Sequence, residues 1–389
     1  MTVGAASVVQ EHFARSIAAT TRFFEAEAPA VAECCRQMAE RFSKGGTLIA
    51  MGHGAQESDA QHVAVEFVHP VIVGKRALPA IAVTSERVSG LATPGDIALA
   101  ICVLGIEPSV RAAMAGARDR GLLTVLITNT AGDSERIADI ELRIGEPNPL
   151  VAQEVSETLY HVLWELVHVF FESDDARQLY SYLPQAAGAR DHDELIAEVK
   201  ASALQKARDV SALRATMQDA CAARIAAAGR AVASRLRMNG KLLAFGNGGS
   251  ATDAQDVAAD CLDPPIAGWH HLAALALTND VGVVTAIGND VGFEHVFSRQ
   301  IIAFGGATDI ALGFSTSGAS RNVAAAMTEA KARGLMTIGM SGGDGGQLAR
   351  SQAVDFCFTA GSDHIPRIQE AHATVWHALL SVVQEELRT

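Results

Sequence analysis

Aromatic side chains are scarce. Phe, Trp and Tyr together make up 5% of the 389 residues, against 49% for hydrophobic residues as a whole. Close packing of small apolar side chains is expected rather than an aromatic-rich stacking surface. Positive charge is also short: 31 Lys and Arg face 44 Asp and Glu, a formal net charge of -13. A nucleic-acid binder presents a basic face, so no direct nucleic-acid partner is expected. No apolar run reaches membrane-spanning length, and the opening MTVGAASVVQEHFARS lacks the apolar centre of a secretion signal. The expectation is a cytoplasmic protein with no membrane partner. The six cysteines, Cys34, Cys35, Cys102, Cys221, Cys261 and Cys357, include no CxxC pair, which points to reduced thiols.

What the chain does have is a repeat. TLIAMGHGAQESDAQHVAVE, from Thr47, matches KLLAFGNGGSATDAQDVAAD, from Lys241. GDIALAICVLGIEPSV, from Gly95, matches TDIALGFSTSGASRNV, from Thr308. AAMAGARDRGLLTVLIT, from Ala112, matches AAMTEAKARGLMTIGMS, from Ala325, and QEVSETLYH, from Gln153, matches QEAHATVWH, from Gln369. Four blocks in one order, with slowly growing spacing, mean two copies of one domain. The predicted domains are 1–185 and 186–389, divided near Gln185 in a polar segment broken by Pro184 and Gly188.

Each copy opens with a long amphipathic helix, Val9–Ser43 and Glu194–Asn239. Each closes with another, Gln153–Phe171 and Gln369–Leu387. Between them lie short apolar runs: TLIAM, LPAIAVT, IALAICVLG and LLTVLIT in the first copy, KLLAF, LAALALT, IALGFSTSG and LMTIGMS in the second. Continuous apolar strands alternating with helices predict an α/β fold with a parallel sheet covered on both faces.

Such sheets bind ligands at the carboxyl ends of their strands. Two turns of the second copy fall there. One is Asn247, Gly248, Gly249 and Ser250; the other is Ser315, Thr316 and Ser317, with Ser320 just beyond. Glycines let the backbone approach an anion, and a helix N-terminus offers free N–H groups. A Ser/Thr turn before a helix is by itself only an N-cap. Two such turns at strand ends of one repeat point further, to a phosphate ester held without Lys or Arg.

GNGGSATDAQ, AIGNDVGFEHVFSRQI, GFSTSGASRNVAAAMTEAKARG and RIQEAHATVWH together resemble the sugar isomerase (SIS) fold, and within it the sedoheptulose 7-phosphate (phosphoheptose) isomerase family. The resemblance covers Leu242 to Leu387; the first copy follows through the repeat. It implies two tandem SIS domains, flavodoxin-like with a parallel sheet in a three-layer αβα sandwich. It assigns the two turns to the sugar phosphate, and Asn289 and Asp290 to sugar hydroxyls.

The copies then differ. In the first, Ser250 is matched by Gln56, the three turn hydroxyls by Cys102, Val103 and Leu104, and Ser320 by Glu107, which would repel phosphate. On the helix after the first turn, the first copy has His62 and Glu66 at i, i+4, hence on one face. The second has Asp256 and Asp260 there. The resembled isomerases carry His and Glu at these places for metal and acid/base chemistry. On the last helix both copies keep the family pair, Gln153 with His161 and Gln369 with His377. Eight residues span about 12 Å of helix, so one metal is hard for such a pair to share without help from a neighbouring domain.

The metal candidates are therefore His62, Glu66, Gln153, His161, Asp256, Asp260, Gln369 and His377. Their N/O donors suggest a divalent ion, zinc first. His168 and His372 read as packing or surface residues, and the vicinal His270 and His271 as a poor metal pair if helical. The expected chemistry is an aldose–ketose isomerisation through a metal-assisted enediol, with sedoheptulose 7-phosphate as the first substrate. Glu66 or Asp260 would be the base and His377 or His161 the acid. Complementary loss in the two copies suggests a composite site, and two chains would mimic a four-SIS-domain assembly, hence a homodimer. The alternative is a non-catalytic SIS protein, a DiaA-like replication-protein scaffold or a sugar-phosphate sensor.

Overall fold

A computed structural model describes residues 4–72, 75–129, 136–179 and 192–388. The chain forms two compact units. One comprises residues 18–209, the other residues 1–17 with 210–389. The sequence boundary at Gln185, with Pro184 and Gly188, lies outside the described residues.

The elements of the first copy are α1 (Ala5–Ser43), β1 (Leu48–Met51), α2 (Gln56–Val68), β2 (Ala80–Ala82), α3 (Val88–Leu91), β3 (Ile97–Cys102), α4 (Pro108–Asp119), β4 (Leu123–Thr128), β5 (Ile140–Arg143) and α5 (Pro149–Leu179). Those of the second are α6 (His192–Arg237), β6 (Leu242–Phe245), α7 (Gly249–Leu262), β7 (Ala274–Ala276), α8 (Val281–Asp290), α9 (Ser298–Phe304), β8 (Ile310–Ser315), α10 (Arg321–Ala332), β9 (Met336–Gly342), α11 (Gly346–Arg350), β10 (Phe356–Ala360) and α12 (Ile365–Arg388). Among the described residues each unit holds one five-stranded parallel sheet, ordered β2-β1-β3-β4-β5 and β10-β9-β8-β6-β7. Both are the flavodoxin-like order, whose direction of winding reverses between the first and third strands of the copy.

The central strands are buried from end to end: Leu48–Met51, Ile97–Cys102 and Leu123–Thr128 in one sheet, Leu242–Phe245, Ile310–Ser315 and Met336–Gly342 in the other. Alternate residues serve opposite layers, as the two-residue period requires. Leu48 and Ala50 join the core beneath α1, α2 and α5, while Ile49 and Met51 join the core beneath α4. Leu242 and Ala244, against Leu243 and Phe245, repeat that division in the second unit. Each unit is thus a three-layer αβα sandwich.

Each sheet has one strand more than its continuous apolar runs announced. β5 and β10 are edge strands and only partly buried. IELR, with two charged residues, lacks the unbroken apolar signature of a strand covered on both faces, whereas FCFTA is apolar except for Thr359. The six cysteines are free thiols, all buried except the partly buried Cys357.

The amino ends of the strands are tied alike in both units. The Asp96 carboxylate accepts the Thr47 N–H at 2.8 Å, and its twin Asp309 accepts the Lys241 N–H at 2.9 Å. Asp139 accepts the N–H and hydroxyl of Thr124, and Asp355 those of Thr337. The divergence between the copies lies at the other end of the sheets.

Candidate active site

β6 and β8 are neighbours in register, Phe245 opposite Gly313, so the two turns that follow them emerge side by side at the winding reversal. Gly246 makes the first turn possible, since a Cβ there would lie 2.3 Å from the Ser250 carbonyl oxygen. Ser250 is buried in the opening turn of α7. The turns are joined by a reciprocal amide pair: Asn247 Nδ2–H donates to Asn322 Oδ1 at 2.9 Å, and Asn322 Nδ2–H donates to Asn247 Oδ1 at 2.7 Å. Asn322 escaped the sequence reading. Its signal was slight, a polar residue in the first turn of the helix behind the Ser/Thr loop.

The second turn is not merely a cap. Ser320 occupies the N-cap of α10 yet makes no side-chain capping bond. Its hydroxyl pairs instead with Ser315 Oγ at 2.9 Å, and its N–H donates to the same oxygen at 3.3 Å. Those two hydroxyls are gathered on each other, while the Ser317 hydroxyl accepts the Ala319 N–H; Ser315 is buried, Thr316 and Ser320 are half-buried and Ser317 is exposed. Asn289 and Asp290, at the end of α8, are exposed and bonded to each other at 2.7 Å; among the described residues they make no hydrogen bond to either turn.

In the same unit, the carboxylate Oδ2 of Asp260 lies 3.3 Å from His377 Nε2, both side chains buried. The Trp376 indole N–H donates to that oxygen at 2.9 Å, while Oδ1 has no hydrogen-bond partner among the described residues. Asp256, one turn earlier and half-buried, joins no cluster of metal-sized spacing among the described residues. Gln369 is buried on α12. His372 is buried too, donating Nε2–H to the Ser341 carbonyl at 2.9 Å, as a packing histidine would. His270 and His271 sit outside any helix, so the helical argument made for them does not apply.

The first unit assembles a different set. His62 and Glu66 on α2 meet His161 on α5, with one ligand atom from each within 4.8 Å of the others and all three side chains buried. His62 Nε2 lies 3.2 Å from His161 Nε2 and 3.8 Å from Glu66 Oε1. Tyr160 Oη, 3.1 Å from Nδ1, holds the other side of the His62 ring. Burial, with His161 adding to it, keeps the His62 ring well below the usual imidazole range. Burial, and secondarily Glu165, pushes the Glu66 carboxyl up to about 8. Glu66 Oε2 and the buried Gln153 Oε1 have no hydrogen-bond partner among the described residues. This unit lacks the hydroxyls of the other: Gln56 and Cys102 are buried where Ser250 and Ser315 stand, and the exposed Glu107 is the N-cap of α4. A surface cavity of about 570 Å³ in this unit lies at the opposite end of the sheet, beside Asp96 and Gly46. The cavity's Arg36 and Lys44 are already paired with Glu33 and Glu40.

Residues 207–342 match the family model of the SIS domain. A phosphoheptose isomerase of Roseiflexus sp. (strain RS-1) is 44% identical over 163 residues, 42% of this chain and 82% of its own length. One of Rhodospirillum rubrum is 41% identical over 167 residues, 43% of this chain and 88% of its own. This chain belongs to the phosphoheptose isomerase family. The C-terminal domain of glucosamine-fructose-6-phosphate aminotransferase from Francisella tularensis resembles it in fold, with a TM-score of 0.62 at 10% identity over 95% of each chain.

For a phosphoheptose isomerase family member the distribution of groups is uneven. The unit carrying the hydroxyl turns pairs an Asp with a His, whereas the unit without them holds the two-His, one-Glu cluster. Among the described residues no helix is long and apolar enough to cross a membrane.

Proposed function

We propose that this isomerase interconverts a ketose phosphate and its aldose, with sedoheptulose 7-phosphate as the first candidate substrate. The observation that carries the reading is the Asn247–Asn322 pair. It locks two hydroxyl-bearing turns together at the sheet's winding reversal, each opening a helix. Backbone N–H groups and the hydroxyls of Ser250, Ser315, Thr316, Ser317 and Ser320 would hold the phosphate, as an acidic chain with no cation in either turn requires. Asn289 and Asp290 would meet the sugar only at an exposed edge.

Moving hydrogen between C1 and C2 needs a base at carbon and an acid at the carbonyl oxygen. Two buried carboxylate–imidazole pairs suit this role, Asp260 with His377 and Glu66 with His161. In the first, Asp260 Oδ2 takes the proton and His377 Nε2, 3.3 Å away, serves the oxygen.

A divalent cation fits the other cluster. Two imidazoles and a carboxylate are buried together, burial pushes that carboxyl up to about 8, and one of its oxygens has no hydrogen-bond partner among the described residues. A bound cation would reverse that upward shift. His62, Glu66 and His161, with Gln153 on the same helix as His161, would hold it, and the donor set favours zinc. When bound, such an ion stabilises negative charge on oxygen as a Lewis acid. The protein is proposed to act as a homodimer. Metal analysis combined with assays on C5 to C8 ketose phosphates tests the reading; absence of turnover on all of them would reject it.

A further inference from the structure

The Ser315–Ser320 turn rests on a second glycine turn, which runs from Gly342 to Gly346. A Cβ on Gly318 (φ +63°) would lie 2.2 Å from the Gly345 carbonyl oxygen. A Cβ on Gly346 (φ +53°) would lie 2.6 Å from the Ser317 carbonyl oxygen, and one on Gly342 would lie 2.4 Å from that of Thr316. These neighbours are backbone atoms and cannot swing aside as a side chain would. The Leu348 N–H fastens the contact by donating to the Gly318 carbonyl at 2.9 Å.

The repeat supplies an independent observation. Where the first copy has Cys102, Val103 and Leu104 instead of the hydroxyls, it also has Asn129 and Asp133 instead of Gly342 and Gly346. Asn129 is bonded in both directions to the Glu146 backbone, each bond 2.7 Å. The turn glycine itself survives there as Gly105, and among the described residues a Cβ on it would meet nothing within 4 Å. The two supporting glycines have no glycine counterpart in the first copy. They are present where the hydroxyl turn is present and absent where it is lost.

We propose that Gly342 and Gly346 are positioning residues, which set the Ser315–Ser320 backbone at the depth that holds a phosphate ester. The inference rests on the phosphate reading above. Gly346→Ala is compared with Gly343→Ala, whose φ of +59° imposes a similar backbone cost but whose Cβ would meet only Asp363 Oδ1, at 3.7 Å. Inorganic phosphate binding is measured by calorimetry, and sedoheptulose 7-phosphate turnover is measured alongside it. Gly346→Ala is expected to weaken phosphate binding and raise KM at least about tenfold while kcat changes less than about threefold. Gly343→Ala is expected to lose similar thermal stability and keep both constants.

Should Gly346→Ala fail to melt cooperatively, Asp344→Ala gives the answer. Asp344 is exposed, and its Oδ1 accepts the Gly346 N–H at 2.9 Å. Its removal should raise KM about threefold or more with kcat unchanged. Equal KM and phosphate affinity in Gly346→Ala and Gly343→Ala, or an unmoved KM in Asp344→Ala where the first variant does not fold, would overturn the positioning role alone. A wild-type protein that binds neither phosphate nor sugar phosphate would overturn the phosphate reading, and this role with it.

Discussion

Asp260 and His377 meet inside the second unit at 3.3 Å, on an oxygen that also takes the Trp376 indole N–H. The equivalent aromatic of the first unit, Tyr160, likewise reaches back to α2, there to His62. In both units the residue before the last-helix histidine fixes a polar group on the helix after the first turn. If Asp260 is the base, Asp260→Asn should lower kcat about 10²- to 10⁴-fold with KM little changed. Trp376→Phe keeps an aromatic ring, though a smaller one, and removes one bond to a carboxylate, so a loss of about 10- to 100-fold is expected. Steady-state kinetics on both variants decide this; full activity in Asp260→Asn would move the base to Glu66.

The first copy suggests how to disable the second. Glu107 stands at the N-cap of α4, where Ser320 stands at that of α10. A carboxylate there takes the favourable position at the helix N-terminus and repels an incoming dianion. Ser320→Glu should therefore raise KM about 100-fold or more and abolish calorimetric phosphate binding. The fold should persist, because the first copy tolerates the same residue. Ser320→Ala should cost less, about the loss of one hydrogen bond. If Ser320→Glu bound phosphate normally, the turn would not be the anion site.

His62, Glu66 and His161 lie within metal-ligand spacing but in the unit without hydroxyl turns. Chelation should remove about one divalent ion per chain and lower turnover, and zinc should restore both. His62→Ala should weaken zinc binding at least about 100-fold, since a direct ligand matters more than an outer-shell one. Asp256→Ala should leave the metal content unchanged. The measurement is metal stoichiometry after dialysis, read separately from activity. Retention of the ion by His62→Ala would place the metal elsewhere.

The repeat made most of the architecture legible. IALAIC and LTVLIT are unbroken apolar runs, and burial on both faces produces such runs. β5 carries no such run, because IELR mixes charge with apolar residues; FCFTA of β10 is apolar except for Thr359, and its partial burial at the sheet edge is what sets it apart. Site residues with a distinctive chemical type were legible one by one. Their groupings were not: that His62 meets His161, or that Asn247 meets Asn322, depends on which helices and turns the sheet order brings together. The contacts of the glycines from 342 to 346 with the Ser/Thr loop likewise depend on the fold and have no signal in their spacing.

His372 provides the pH test. Its ring is fully buried against Phe314 and donates Nε2–H to the Ser341 carbonyl, just before the supporting glycine turn. Burial, partly offset by that bond, brings it from 6.5 down to about 4. The unfolded chain therefore takes up a proton that the folded chain refuses as pH falls from about 6.5 to about 4. The stability contributed by the neutral ring is complete above the unfolded value and is lost through that window. Between pH 7 and pH 5 the loss is on the order of 2 kcal/mol for this residue. In His372→Gln the amide can still donate to Ser341 and has no proton to gain. The variant should start less stable at pH 7 and then lose less on acidification. Urea unfolding of both proteins at pH 7 and pH 5 gives the comparison, and parallel losses in the two would show that His372 is not the group responsible.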